Sequence, residues 1–172
     1  YKDTLIEEHI LGIPGDVFIE KHLDQCSPQE KAQIAKEFVK FNERCLIGLL
    51  GDMRSYNYVV IPTHDFDQVV YRIRPIDFDQ QCYEGNLKIY LPQYFKENKK
   101  MVEMVYDRLK PNSIEQYRKE VRSAIAKRAS TDGRLPHLLE IMKRDEISKP
   151  EHVEELKAGL HKFSPFRGVL AI

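Results

Sequence analysis

The apolar period changes near residue 50, and that change constrains the fold more than any other feature of the chain. Upstream of it, Ser27-Pro28-Gln29-Glu30 places Ser at a helix N-cap, Pro at the first helical position and Glu at the third, a capping box with its favoured Pro. Behind it Ala35, Phe38, Val39, Asn42, Cys45, Leu46 and Leu49 recur at spacings of three and four. That spacing predicts one buried face of a long helix ending near Gly51. Downstream, Tyr58-Val59-Val60-Ile61 is β-branched and aromatic and reads as a strand. Pro62-Thr63-His64-Asp65 supplies turn chemistry, and Val69 to Arg74 reads as the returning strand. The expectation is a β-hairpin, turning over Pro62 to Gln68 and closing just before Asp77.

The remainder reads as helical. Tyr1 to Leu11 is a short amphipathic helix closed by Gly12 and Pro14, and Val17-Phe18-Ile19 is a short strand or a further helical turn. Gln93 to Leu109 forms a helix. Pro111-Asn112-Ser113 opens another, with Ile114, Tyr117, Val121, Ala124 and Ile125 on one face. Leu135 to Met142 is shorter. Lys149-Pro150-Glu151 starts a last helix, with Val153, Leu156, Leu160 and Phe163 inward, and Ser164 to Gly168 is loop or extended chain. The fold class is therefore mainly α with a small β-hairpin. One domain is expected over residues 1–172: a lead-in over 1–27, the long helix and hairpin over 28–80, and a helical subdomain over 81–172.

The 172 residues suffice for one sizeable core. Lys+Arg and Asp+Glu are both 27, so bulk charge offers nothing to a nucleic acid or an anionic membrane. No apolar run reaches the length of a membrane span, and Tyr1-Lys2-Asp3-Thr4 carries no signal-peptide pattern. The absence of an initiator Met points to a fragment of a longer chain. Cys26, Cys45 and Cys82 are scattered without CxxC spacing, which argues against zinc and a disulfide framework and for a reducing cytoplasm.

The period change also brings chemistry together. Asp52 follows Gly51 after the long helix, Asn57 lies at the start of the first strand, and Asp77 follows the second. A hairpin joins its two ends, so Asn57 and Asp77 should reach one metal ion, with Asp52 on the loop leading in. Magnesium takes oxygen ligands such as carboxylates and amides. A further carboxylate near an acceptor hydroxyl orients it and takes its proton.

Gly51-Asp52-Met53-Arg54-Ser55-Tyr56-Asn57, followed by Ile76-Asp77-Phe78-Asp79, resembles the catalytic and metal-binding loops of the protein-kinase-like superfamily. The motif style is similar to that of its aminoglycoside and small-molecule phosphotransferases. The resemblance covers residues 28–80 and implies the C-terminal lobe (α+β) of that fold. It implies Asp52 as the catalytic base, Arg54 as a cation near the transferred phosphate, and Asn57 and Asp77 as magnesium and nucleotide ligands. Asp79 is a second metal carboxylate or a helix cap. Leu50 stands where the family often has His, and the spacing from Asp52 to Asp77 is longer than its norm. Nothing before Asp52 resembles the N-terminal lobe with its Gly-rich loop and strand-borne Lys, so Mg2+ and ATP as cofactors are conditional on a lobe supplied elsewhere.

Two functions follow. One is an ATP-dependent phosphotransferase acting on a small-molecule or protein hydroxyl. The other is a catalytically inactive, pseudokinase-type or helical interaction module. Neither calls for a nucleic acid or a membrane, and both leave the oligomeric state open. His64-Asp65-Phe66-Asp67 reads as solvated turn rather than metal cluster. Arg72 and Arg74 share one strand face and either pair with carboxylates or bind phosphate. Tyr83, Tyr90, Tyr94 and Phe95 read as packing, Met101 and Met104 as core filler, and Lys96 to Lys100 as a solvated helix face.

Overall fold

The computed structural model describes residues 9–48, 50–66, 68–78, 91–144 and 149–162. The expected first helix falls mostly outside them, and His9 to Leu11 are not helical. The tail beyond Lys162 also lies outside. The order along the chain is β1 (Ile13–Pro14), α1 (Gly15–Val17), further helical turns over Phe18–His22 and Leu23–Gln25, α2 (Pro28–Ile47), β2 (Tyr58–Asp65), β3 (Gln68–Pro75), α3 (Lys99–Arg108), α4 (Pro111–Asp132), α5 (Arg134–Arg144) and α6 (Pro150–Lys162). The described chain is mainly helical with one small antiparallel sheet, in the order β1-β2-β3. Among the described residues, no helix is long and apolar enough to cross a membrane.

The long helix begins where its sequence says. The Ser27 hydroxyl accepts from the Glu30 backbone N–H at 3.2 Å, and the Ser27 N–H donates to Glu30 Oε2 at 2.8 Å. Two helix-start donors are thereby satisfied at once. The Tyr71 hydroxyl donates to the other Glu30 oxygen at 2.7 Å and so ties the cap to the sheet. That bond, ahead of those from Ser27, holds the Glu30 carboxyl below its usual range. The face of α2 that turns inward is broader than expected, adding Ile34, Phe41 and Ile47 to Ala35, Phe38, Val39, Asn42 and Cys45. Leu46 is only half-buried. Val17, Phe18 and Ile19 are helical rather than a strand, with Phe18 and Ile19 buried.

The hairpin differs from its sequence reading in extent. β2 runs through Pro62 to Asp65, and the chain turns at Phe66, whose φ is 48°. Pro62 is opposite Tyr71. Ladder hydrogen bonds alternate along an antiparallel strand, and Val60 pairs with Ile13 of β1 on the outer side. Pro62, two residues on, presents its nitrogen to that same outer side, beyond the end of β1. The N–H it lacks is one the ladder to β3 does not use. The turn chemistry of Pro62 to Asp65 was real, but the cross-strand pairs from Thr63–Val70 to Asp65–Gln68 carried the ladder past it.

The free edge of β3 is closed by α2. Glu37 Oε1 accepts from the Ile73 N–H at 3.2 Å, and Arg44 Nη2 donates to the Ile73 carbonyl at 3.0 Å. The two side chains pair with each other at 2.7 Å. Backbone groups at an edge are thus satisfied within the fold rather than left to another chain. Phe38, Phe41, Tyr58, Val60, Ile73 and Met101 fill the core between helix and sheet, Phe41 and Tyr58 edge to face at 5.1 Å.

Gly15 is required by a close approach. A Cβ there would run into the Tyr58 ring and the Ser55 carbonyl, both fixed in buried positions. Gly15→Ala is expected to destabilise the fold by about 3 kcal/mol through overpacking, read as a lowered midpoint in chemical denaturation. An unchanged midpoint would show that α1 does not pack there.

After the sheet, the expected helix over Gln93 to Leu109 is divided. Short turns over Pro92–Tyr94 and Lys96–Asn98 precede α3, whose Met101, Met104 and Val105 are buried. Contacts sort the described chain into two compact units, one of residues 9–78 and 91–118, the other of 119–144 and 149–162, with the boundary inside α4. In the second unit α5 packs on α6, with Leu139, Val153 and Leu156 buried and Lys143 bonded to Glu154 at 2.8 Å. On α4, Val121 is buried, whereas Ala124 is exposed.

Candidate functional site

The loop after α2 is held at both ends by apolar side chains. Leu50 and Met53 are buried, and between them Asp52 takes a left-handed conformation with φ 53°. Asp tolerates that region better than most residues, and such conformations persist only where their surroundings fix them. Here the fixing is explicit. The Asp52 carbonyl accepts from the Arg54 N–H at 2.8 Å and from Asn57 Nδ2 at 2.7 Å. The Arg54 carbonyl accepts from the Asn57 N–H at 3.0 Å.

Asn57 is the joint of the cluster. Its carbonyl accepts from the Ile76 N–H at 3.0 Å, which carries the β2–β3 ladder one pair beyond the strands and brings in the residue before Asp77. The side-chain amide therefore binds the Asp52 backbone while the main chain binds the neighbour of Asp77. Asn57 is mostly buried, with its Nδ2 committed to Asp52. Among the described residues no donor meets its Oδ1. Asp77 follows half-buried. Asp79 lies outside the described residues.

Arg54 is engaged on three sides. Its Nε donates to Asp52 Oδ1 at 2.9 Å, its Nη1 donates to Glu97 Oε1 at 2.8 Å, and its guanidinium lies 4.9 Å from the centre of the Phe95 ring. The bond donated to Asp52, then the bond donated to Glu97, raises the Arg54 pKa further. The Glu97 carboxyl is held below its usual range, first by its own backbone N–H and then by Arg54. Among the described residues, Asp52 Oδ1 is taken by Arg54 and no hydrogen bond meets Oδ2.

Beneath this loop sits a residue the sequence reading placed on a solvated face. Asn98 is fully buried. Its Oδ1 accepts from the Tyr58 hydroxyl at 2.7 Å, and its Nδ2 donates to the carbonyls of Met53 and Pro92 at 3.2 and 2.9 Å. Asn42 plays a similar part from α2, accepting from the Gln93 N–H at 3.0 Å. Phe95, Glu97 and Asn98 thus belong to the site's surroundings. Their only sequence signal was the break from helical spacing at Pro92.

Other reactive groups are quiet. Burial pushes the Cys45 thiol up to about 12 and raises Cys26 as well, so neither is poised as a thiolate. His64, Asp65 and Phe66 are exposed at the hairpin tip. Among the described residues no group of three or more His, Cys, Asp or Glu side chains is placed to hold a metal ion. An Asn amide with a single carboxylate is a smaller set, of the kind magnesium completes with phosphate and water oxygens.

Comparison with models of known protein families, with curated proteins and with solved structures returns no match.

Proposed function

We propose that this chain is the C-terminal lobe of a kinase-like, ATP-dependent phosphotransferase acting on a small-molecule or protein hydroxyl. The observation that carries the reading is the double engagement of Asn57, whose side chain holds the Asp52 carbonyl and whose main chain holds the residue before Asp77. It supports the convergence that the resemblance calls for, through bonds rather than spacing.

In this reading Asp52 is the base. Its Oδ2 orients the acceptor hydroxyl and takes the proton as the new O–P bond forms and the bond from phosphorus to the nucleotide oxygen breaks. Asn57 Oδ1 and the Asp77 carboxylate would hold magnesium, since an amide oxygen together with a carboxylate suits a hard cation. The ion would supply neutralising charge to the nucleotide phosphates. Arg54 acts on Asp52, to which it is bonded, and the left-handed turn at Asp52 keeps the carboxylate at the head of the loop.

Calorimetric titration of ATP, with and without magnesium, into the natural chain that contains these residues tests the proposal. Saturable, magnesium-dependent binding is the expected result. Absence of binding would overturn it in favour of a helical interaction module.

A further inference from the structure

We infer that Glu97 is a positioning residue of the candidate centre, holding Arg54 against Asp52 so that the guanidinium steers the carboxylate and not the transferred phosphate. The inference rests on the phosphotransferase reading. A guanidinium is planar, and its donors point in fixed directions. Arg54 commits one donor to Asp52 at 2.9 Å and another to Glu97 at 2.8 Å, with Phe95 against its face. Two bonds and a ring determine its plane.

Glu97 can impose this because it is itself placed. It is carried on a short turn whose next residue, Asn98, is fully buried and bonded to the Met53 carbonyl inside the Asp52–Asn57 loop. The turn that presents Glu97 and the loop that presents Asp52 are therefore fastened to each other one residue away from the ion pair. The side chains of Arg54 and Glu97 are each 38% exposed. Ion pairs of that exposure contribute little to stability because water and salt screen them. Orientation is what this pair supplies, and its loss should show in turnover and not in folding.

The experiment compares wild-type protein with Glu97→Gln in the natural chain. Three quantities are read: hydrogen exchange at Arg54 Nε–H by NMR, the Kd for magnesium-ATP by calorimetry, and the rate of magnesium-ATP hydrolysis, with water as acceptor. The expected result is exchange at Arg54 Nε–H faster by about tenfold, hydrolysis slower by about tenfold, a Kd within about twofold, and an unchanged melting temperature. A fall confined to magnesium-ATP affinity would overturn the inference, because Arg54 would then be serving the phosphate. Unchanged exchange at Arg54 would overturn it as well. Should wild-type protein bind no magnesium-ATP, the phosphotransferase reading falls by itself. The exchange comparison then still decides whether Glu97 fixes Arg54 on Asp52.

Discussion

Asp77→Ala is expected to weaken magnesium-dependent ATP binding by about a hundredfold or more. Groups that merely support a metal ligand already cost 10–100-fold in affinity when removed, so a direct carboxylate ligand sets the larger loss. The placement of Asp77 gives the expectation its force. Asp77 lies one residue past the Ile76–Asn57 bond that closes the hairpin. Asp65→Ala is the matched control. It removes an exposed carboxylate from the far end of the same hairpin, opposite Gln68, and should leave binding unchanged. Calorimetry on both variants, with circular dichroism to verify the fold, separates the cases. Equal affinity for the two would remove Asp77 from the site.

Asn98→Ala should have a large effect on stability. The side chain makes three hydrogen bonds in a fully buried position, to the Tyr58 hydroxyl and to the carbonyls of Met53 and Pro92. Truncation leaves all three partners short of one bond where water is excluded. Each unsatisfied buried group costs about 1–3 kcal/mol, and a loss of about 3 kcal/mol overall is expected after relaxation. For a chain of this size that lowers the melting temperature by roughly 10 °C. Tyr58→Phe removes only the shared bond and should cost about 1 kcal/mol. Because the two residues share it, the double variant should fall short of the sum. Strict additivity in denaturant titrations would show that the bond is not made. Met53 sits next to Asp52, so the same substitution should also loosen the loop, visible as faster amide exchange from Asp52 to Asn57.

Local interactions were legible in the sequence. The capping box at Ser27 and Glu30, the inward stripe of α2 and the strands flanking residues 62–68 depend on neighbours a few positions apart, and their residue types state them directly. The pairing of Asn57 with the residue before Asp77 was legible too, because a hairpin must bring its ends together. The two-residue strand β1 was not, since Ile13 and Pro14 are strand only by virtue of Val59 and Val60 more than forty positions away. Nor was the full length of β2, where cross-strand pairs outweighed the turn preference of Pro62.

The sequence by itself determined the long helix α2, the hairpin and the order of Asp52, Asn57 and Asp77, because those rest on spacing along one chain. Only the tertiary structure decided what holds them. Asn98, read along the chain as part of a charged run, became the buried anchor of the loop. Arg54, read as a cation near the transferred phosphate, is a bridge between two carboxylates. The physical reason is that a polar side chain has no fixed role until the fold sets its distance from water. Once Asn98 is enclosed it must find every hydrogen bond inside the protein, and the groups it finds are the loop that carries Asp52 and the tyrosine that begins β2.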